Sequence, residues 1–179
     1  MRLVLSTTLA LVLLLPFAAE AQIKKETSEV TNTTRLVSTD MRSLITESYP
    51  GHASFRAEYE VSETDTTWQL SFYGFAERST DMGAATQVRV HVDGQPLEAY
   101  KVQSKTRSLD NSVLEIKNAS FRRSAYERIA RGEEVAALIG SFRFELTGPL
   151  RKDLRLILDR VPDVEAAPTA TSVEEGTNR

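Results

Sequence analysis

Val135-Ala-Ala-Leu-Ile139, Gly140-Ser141, Phe142-Arg-Phe-Glu-Leu146 is the stretch that decides the fold. A glycine opening a two-residue loop suits a type II′ turn, whose twist matches a pair of antiparallel strands. That loop sets the register. Ile139 faces Phe142, Ala137 faces Phe144 and Val135 faces Leu146. Side chains alternate along a strand, so these six apolar residues share one face. The other face pairs Leu138 with Arg143 and Ala136 with Glu145. A slip of one residue would turn all three apolar pairs to water, so turn chemistry and burial agree on one pairing.

The neighbours on both sides read as helices. Ser124-Ala-Tyr-Glu127 has the form of a capping box. Tyr126, Ile129 and Ala130 then share a helical face, and Gly132 stands where the helix stops. After the hairpin, Gly148-Pro149 opens a second helix. Leu150, Leu154, Ile157, Leu158 and Val161 form its apolar stripe, charged residues fill its other faces, and Pro162 is expected to end it. The stripe reads as a face buried against a sheet.

Strands dominate the chain upstream. A first strand falls within residues 30–37. Residues 40–48 suit a helical turn with Met41, Leu44 and Ile45 inward, and Tyr49-Pro50-Gly51 is a turn. Phe55, Ala57, Tyr59 and Val61 alternate with Arg56, Glu58 and Glu60, which predicts a half-buried strand with a solvent-facing charged row. Residues 67–77 place Trp68, Leu70 and Phe72 on one face and Tyr73 and Phe75 on the other. A strand apolar on both sides is expected to be central. Residues 79–86 read as a mobile loop. Val88, Val90 and Val92 lead into Asp93-Gly94, a strong hairpin signal that sets Val90 against Leu97, Val88 against Ala99 and Arg89 against Glu98. Pro96 then marks a sheet edge. A tight turn at Asp110-Asn111 would oppose Leu114 and Ile116 to Arg107 and Lys105, so a longer loop across residues 106–112 is expected instead. Leu114, Ile116 and Phe121 carry the strand that follows.

The pattern predicts a mainly β (α+β) fold. It is an antiparallel β-sandwich or curled sheet of about seven strands, with two short helices toward the C-terminus. Residues 1–21 read as a signal peptide: Arg2, an apolar run from Leu3 to Phe17, and Ala19-Glu20-Ala21 at the cleavage point. Residues 22–29 read as a loose leader, 30–161 as a single β-rich domain and 162–179 as a disordered tail. No later segment is apolar for long enough to span a bilayer. The chain has no cysteine, so packing alone must hold the domain together, without disulfides or thiolate metal sites. That composition suits an exported bacterial protein, periplasmic or secreted. The formal net charge of −3 argues against nucleic acid as a partner.

Val90-His-Val-Asp-Gly94, Tyr126-Glu-Arg-Ile-Ala130, Val135, Ile139-Gly140 and Phe142-Arg-Phe-Glu-Leu146 together resemble small exported bacterial β-rich domains of unknown function. The resemblance covers the second half of the chain. It implies a β-rich envelope domain and brings no site residues with it.

Candidate chemistry is sparse. The only histidines are His52 and His91, and no Gly-x-Ser-x-Gly elbow accompanies them. A metal site would need both to converge with a carboxylate. Glu58 and Glu60, with Arg56, share one strand face about 7 Å apart, a spacing glycosidase carboxylates can have, though exposed alternation predicts the same row. No phosphate-binding loop or cofactor motif occurs, and Glu63-Thr-Asp65 is too sparse for a calcium loop. Trp68, Tyr73 and Phe75 remain as the candidate ligand or partner patch, with burial of Tyr73 and Phe75 under the C-terminal helix as the competing reading. The expected function is a non-enzymatic envelope domain, structural or protein-interacting. The alternatives are a domain binding a small apolar or sugar ligand and, behind it, a hydrolase.

Overall fold

The computed structural model describes residues 23–46 and 48–165. The elements run β1 (Ile23–Ser28), β2 (Thr33–Ser38), β3 (Arg42–Ser43), β4 (Gly51–Val61), β5 (Thr66–Ala76), α1 (Asp81–Ala84), β6 (Val88–Val92), β7 (Gln95–Glu98), β8 (Lys101–Leu109), β9 (Ser112–Phe121), α2 (Arg123–Arg131), β10 (Val135–Ile139), β11 (Phe142–Glu145) and α3 (Gly148–Glu165). Two antiparallel sheets result. The seven-stranded sheet has the order β1-β2-β4-β5-β9-β8, with β3 also on β4, and the four-stranded sheet has the order β11-β10-β6-β7. β3 joins β4 while Ile45 bridges Glu145 beyond it, so one short segment ties the two sheets together.

The hairpin around Gly140-Ser141 forms in the expected register, Ile139 against Phe142 and Ala137 against Phe144. Among the two loop residues only Gly140 has a positive φ, +61°, as a type II′ turn requires. The other hairpin also pairs as expected, with Arg89 opposite Glu98 and Val90 opposite Leu97. Asp93 and Gly94 both have positive φ, the type I′ signature. Pro96 lies on β7, the edge strand.

Alternation builds the core. Phe55, Ala57 and Tyr59 of β4 and Trp68, Leu70 and Phe72 of β5 turn to one side and are buried. Against that face lie Tyr126, Ile129 and Ala130 of α2 and the whole stripe of α3, Leu154 and Ile157 being fully buried. α3 packs on α2, β4, β2 and β1. The four-stranded sheet completes the layer, and Phe72 meets Phe144 with ring centroids 6.5 Å apart. Each fully buried large apolar side chain contributes about 1.5–3 kcal/mol.

Several expectations are corrected. Residues 23–28, read as part of a loose leader, form β1, paired along its length with β2. Their polar side chains are tolerable because β1 is an edge strand with little to bury. Residues 42–43 form strand rather than a helical turn, and of the three residues expected inward only Leu44 is buried, Met41 and Ile45 being exposed. Ser124 does not cap α2, which begins a residue earlier with no side-chain cap, and Glu127 instead accepts from Arg123 at 3.0 Å. Gly132 ends α2 at a negative φ. A Cβ there would lie 2.5 Å from Val92 Cγ1, so close packing requires the glycine. Pro162 lies inside α3, which continues to Glu165. The helix is 18 residues long rather than short, and the first residues of the expected tail belong to it.

The tight turn at Asp110-Asn111 is the one the chain makes. Leu109 pairs with Ser112, Arg107 with Leu114 and Lys105 with Ile116. Leu114 and Ile116 therefore face away from the core, and Val113, Glu115, Lys117, Ala119 and Phe121 face it. The segment read as a mobile loop contains α1. Thr80 N and Oγ1 donate to the Glu115 carboxylate at 2.7 and 2.6 Å, and Lys117 Nζ donates to the carbonyls of Gly83 and Ala85 at 2.8 and 2.5 Å. The signal-peptide reading of residues 1–21 and the tail beyond Glu165 lie outside the described residues. No described helix is long and apolar enough to cross a membrane.

Candidate functional site

The inner face of the seven-stranded sheet is spent on the core. Its outer face carries no helix or second sheet among the described residues, and a trough opens there. Cross-strand register writes out its floor in rows. Glu58, Gln69, Ser120 and Lys101 form one row. Arg56, Ser71, Asn118 and Gln103 form the next, followed by Ser54, Tyr73, Ile116 and Lys105, then His52, Phe75, Leu114 and Arg107. A cavity of about 710 Å³ is lined by Arg35, Arg56, Glu58, Gln69, Tyr73, Gln103, Lys105, Ile116 and Asn118. A second hollow of about 400 Å³ continues it toward Thr67, Lys101 and Ser120, sharing Arg35, Glu58, Gln69, Gln103 and Asn118.

Charge is unevenly compensated along this trough. Glu58 is buried at 6% exposure. It accepts from Arg35 Nη2 at 2.6 Å, Ser71 Oγ at 3.1 Å and Gln69 Nε2 at 3.4 Å. Arg35 Nε also lies 3.0 Å from Glu60 Oε2. Burial works against the Arg35 charge, and Glu58 and Glu60 more than offset it, holding the guanidinium above its ordinary range. The expected exposed row of carboxylates is therefore half right. Glu60 is open to water, while Glu58 is a buried member of a clamp across β2 and β4. A carboxylate so engaged is poorly placed to act as acid or nucleophile.

At the other end of the trough the cations stand without acids. Arg56 donates to the backbone carbonyls of Ser38 at 2.9 Å and Thr39 at 3.4 Å. Neither Arg56 nor Lys105 has an ion-pair partner among the described residues. Between them lies Tyr73, half-buried beside Ile116. Asn118 Oδ1 is buried in the trough floor with no hydrogen-bond partner among the described residues. A buried acceptor left unpaired costs about 1–3 kcal/mol, so the floor favours any donor that reaches it.

The three aromatics singled out from sequence separate. Trp68 is 3% exposed, its ring 4.6 Å from Tyr59 and 5.1 Å from Tyr126, and it belongs to the core. Tyr73 and Phe75 stay on the outer face, the side opposite α3, and Tyr73 lines the trough while Phe75 sits one row beyond it beside Leu114. His52 and His91 lie on different sheets. Among the described residues no group of three His, Cys, Asp or Glu is placed to hold a metal ion. The sequence reading missed Arg35, Gln69, Gln103, Lys105 and Asn118. The signal for the last three was the Asp110-Asn111 turn, since accepting that hairpin puts them on the face of Tyr73.

A second polar cluster is structural. Tyr49, Thr80, Glu115 and Lys117 meet beneath α1, and the Tyr49 hydroxyl donates to Glu115 Oε2 at 3.3 Å. Burial and the neighbouring carboxylate push the Tyr49 phenol up to about 12. Its bonds from Thr80 and Lys117 fasten the 79–86 segment to β9, and Lys117 Nζ also donates to Ser104 Oγ of β8 at 2.5 Å.

Fold and site together define a class: a mainly β protein of two antiparallel sheets with a polar trough on the free face of the larger one. Comparison with protein-family models, curated protein sequences and solved structures gives no match for the chain.

Proposed function

We propose that this chain is an exported, non-enzymatic binding domain of the bacterial envelope, and that it holds a polar ligand or partner segment on the outer face of the seven-stranded sheet. The observation that carries the reading is the free face itself. One side of the sheet is covered by α2, α3 and the second sheet, and the other is a continuous trough of amides, hydroxyls and charged side chains, of which Arg56 and Lys105 make no ion pair among the described residues. The signal-like start of the sequence and its resemblance to small exported β-rich domains support the location. The sheet edge is a weaker candidate for the contact. β8 is exposed along most of its nine residues, yet Lys101, Lys105 and Arg107 on an edge resist addition of another strand.

The test is a binding screen on oligosaccharide and peptide arrays with the protein and its Lys105→Glu and Tyr73→Ala variants. Signals that fall by about tenfold or more in both variants support the reading. Signals indifferent to both substitutions, in variants with unchanged melting temperature, would remove the outer face from consideration.

A further inference from the structure

We infer that the ligand of this trough is an acidic oligosaccharide, an extended chain of sugars bearing carboxylates. The inference rests on the binding role proposed for the outer face and assigns the chemistry of what it holds. Three features of the trough select that chemistry. Its length is the first: two hollows of about 710 and 400 Å³ share walls and run across β4, β5, β9 and β8, which suits a chain rather than a compact molecule. The second is hydroxyl recognition. Gln69, Gln103 and Asn118 present amides that both donate and accept, and the buried Asn118 Oδ1 lacks a donor that a sugar hydroxyl supplies once the amide turns toward it. The third is the Tyr73 end, where a half-exposed ring lies in the same row as Lys105 and next to the row of Arg56. A pyranose ring has a C–H face that rests on an aromatic ring, and its carboxylate then reaches Lys105 or Arg56, neither of which is ion-paired among the described residues.

Two other anions fit less well. A compact phosphate is usually cradled by converging backbone N–H groups, whereas here the backbone of the floor is committed to strand pairing. A nucleic-acid strand carries a charge on every unit, and Glu58, Glu60 and Asp65 in the trough walls would oppose it. They leave room for a ligand whose charges are few and spaced.

The experiment is calorimetric titration of the full chain with a hyaluronate hexasaccharide, which bears a carboxylate on every second sugar, its methyl ester, an oligoglutamate of equal charge and an oligothymidylate. The acidic sugar should bind about tenfold or more tightly than each of the other three. Lys105→Gln and Tyr73→Leu should each weaken it by about tenfold, with the melting temperature unchanged. Equal binding of the ester removes the carboxylate requirement, equal binding of oligoglutamate removes the sugar requirement, and equal or tighter binding of oligothymidylate replaces the ligand class; each overturns the inference. No binding of the acidic sugar overturns it as well. In any of these cases the broader reading stands or falls separately, on whether array signals depend on Lys105 and Tyr73.

Discussion

Lys117 shows how much one side chain can hold. The residue is 1% exposed, and its ammonium donates to Gly83 O, Ala85 O and Ser104 Oγ. Burial pulls its pKa below the ordinary lysine value, and Glu115 partly offsets that. Replacing it with methionine keeps the stem and strands three acceptors, so Lys117→Met should cost about 2–4 kcal/mol in urea unfolding. A loss under half a kcal/mol would mean that water takes over its bonds. Asp153 makes the opposite case. It is 1% exposed, Arg42 Nε reaches one oxygen at 3.5 Å, and the other oxygen is unpaired. Burial raises its pKa, and Arg42 lessens the effect. The folded state thus binds the proton more tightly than the unfolded chain. Stability from Asp153 is full below its ordinary value of 3.8 and is lost as pH rises through the folded pKa. Relative to Asp153→Asn, the native protein should therefore lose melting temperature between acid and neutral pH. A constant difference across that range would contradict it. Neither residue was legible beforehand. Lys117 occupies a core-facing strand position where an apolar residue is expected, and Asp153 occupies one of the helix faces assigned to solvent.

At the scale of elements, the two hairpins turning at Gly140-Ser141 and Asp93-Gly94 were the most legible pieces, because turn chemistry and alternation specify them twice over. Gly140 and Gly94 both adopt positive φ, but their surroundings differ. A Cβ on Gly140 would fall 2.6 Å from Asp81 O, while one on Gly94 meets nothing within 4 Å. Gly94→Ala should therefore cost only the conformational term, about 1 kcal/mol, and Gly140→Ala at least twice that. Equal losses in thermal unfolding would show that the α1 segment yields freely beneath the turn. The β8–β9 hairpin was misjudged for a physical reason. Opposing leucine and isoleucine to arginine and lysine looks wrong if the face is either core or open water. It is neither. Arg107 and Lys105 carry aliphatic stems that lie naturally beside Leu114 and Ile116 on a half-covered surface. That same register sets Gln103 and Lys105 on the face of Tyr73, so rejecting the turn hid the site with it.

For the whole molecule, the decisive contact is between the last helix and the first strands. α3 packs on β1, β2 and β4, and Arg160 Nη1 donates to Ile23 O at 2.7 Å across nearly the full length of the described chain. Contacts so distant in sequence bind the ends into one cooperative unit, with a single apolar core shared by both sheets and both long helices. Leu154 sits at its centre, fully buried. Truncating it leaves a cavity between α3 and the large sheet, and Leu154→Ala should destabilise by about 3 kcal/mol. The same change should shift the whole unfolding curve rather than one part of it. Far-ultraviolet circular dichroism reports the strands and helices, and fluorescence reports Trp68 in the core, so the two transitions should move together. Val30, 97% exposed at the β1–β2 turn, supplies the control, and Val30→Ser should leave both curves in place. If Leu154→Ala separates the two transitions, the four-stranded sheet and the seven-stranded sheet fold independently, and the outer trough would then ride on a unit that survives the loss of its helical cover.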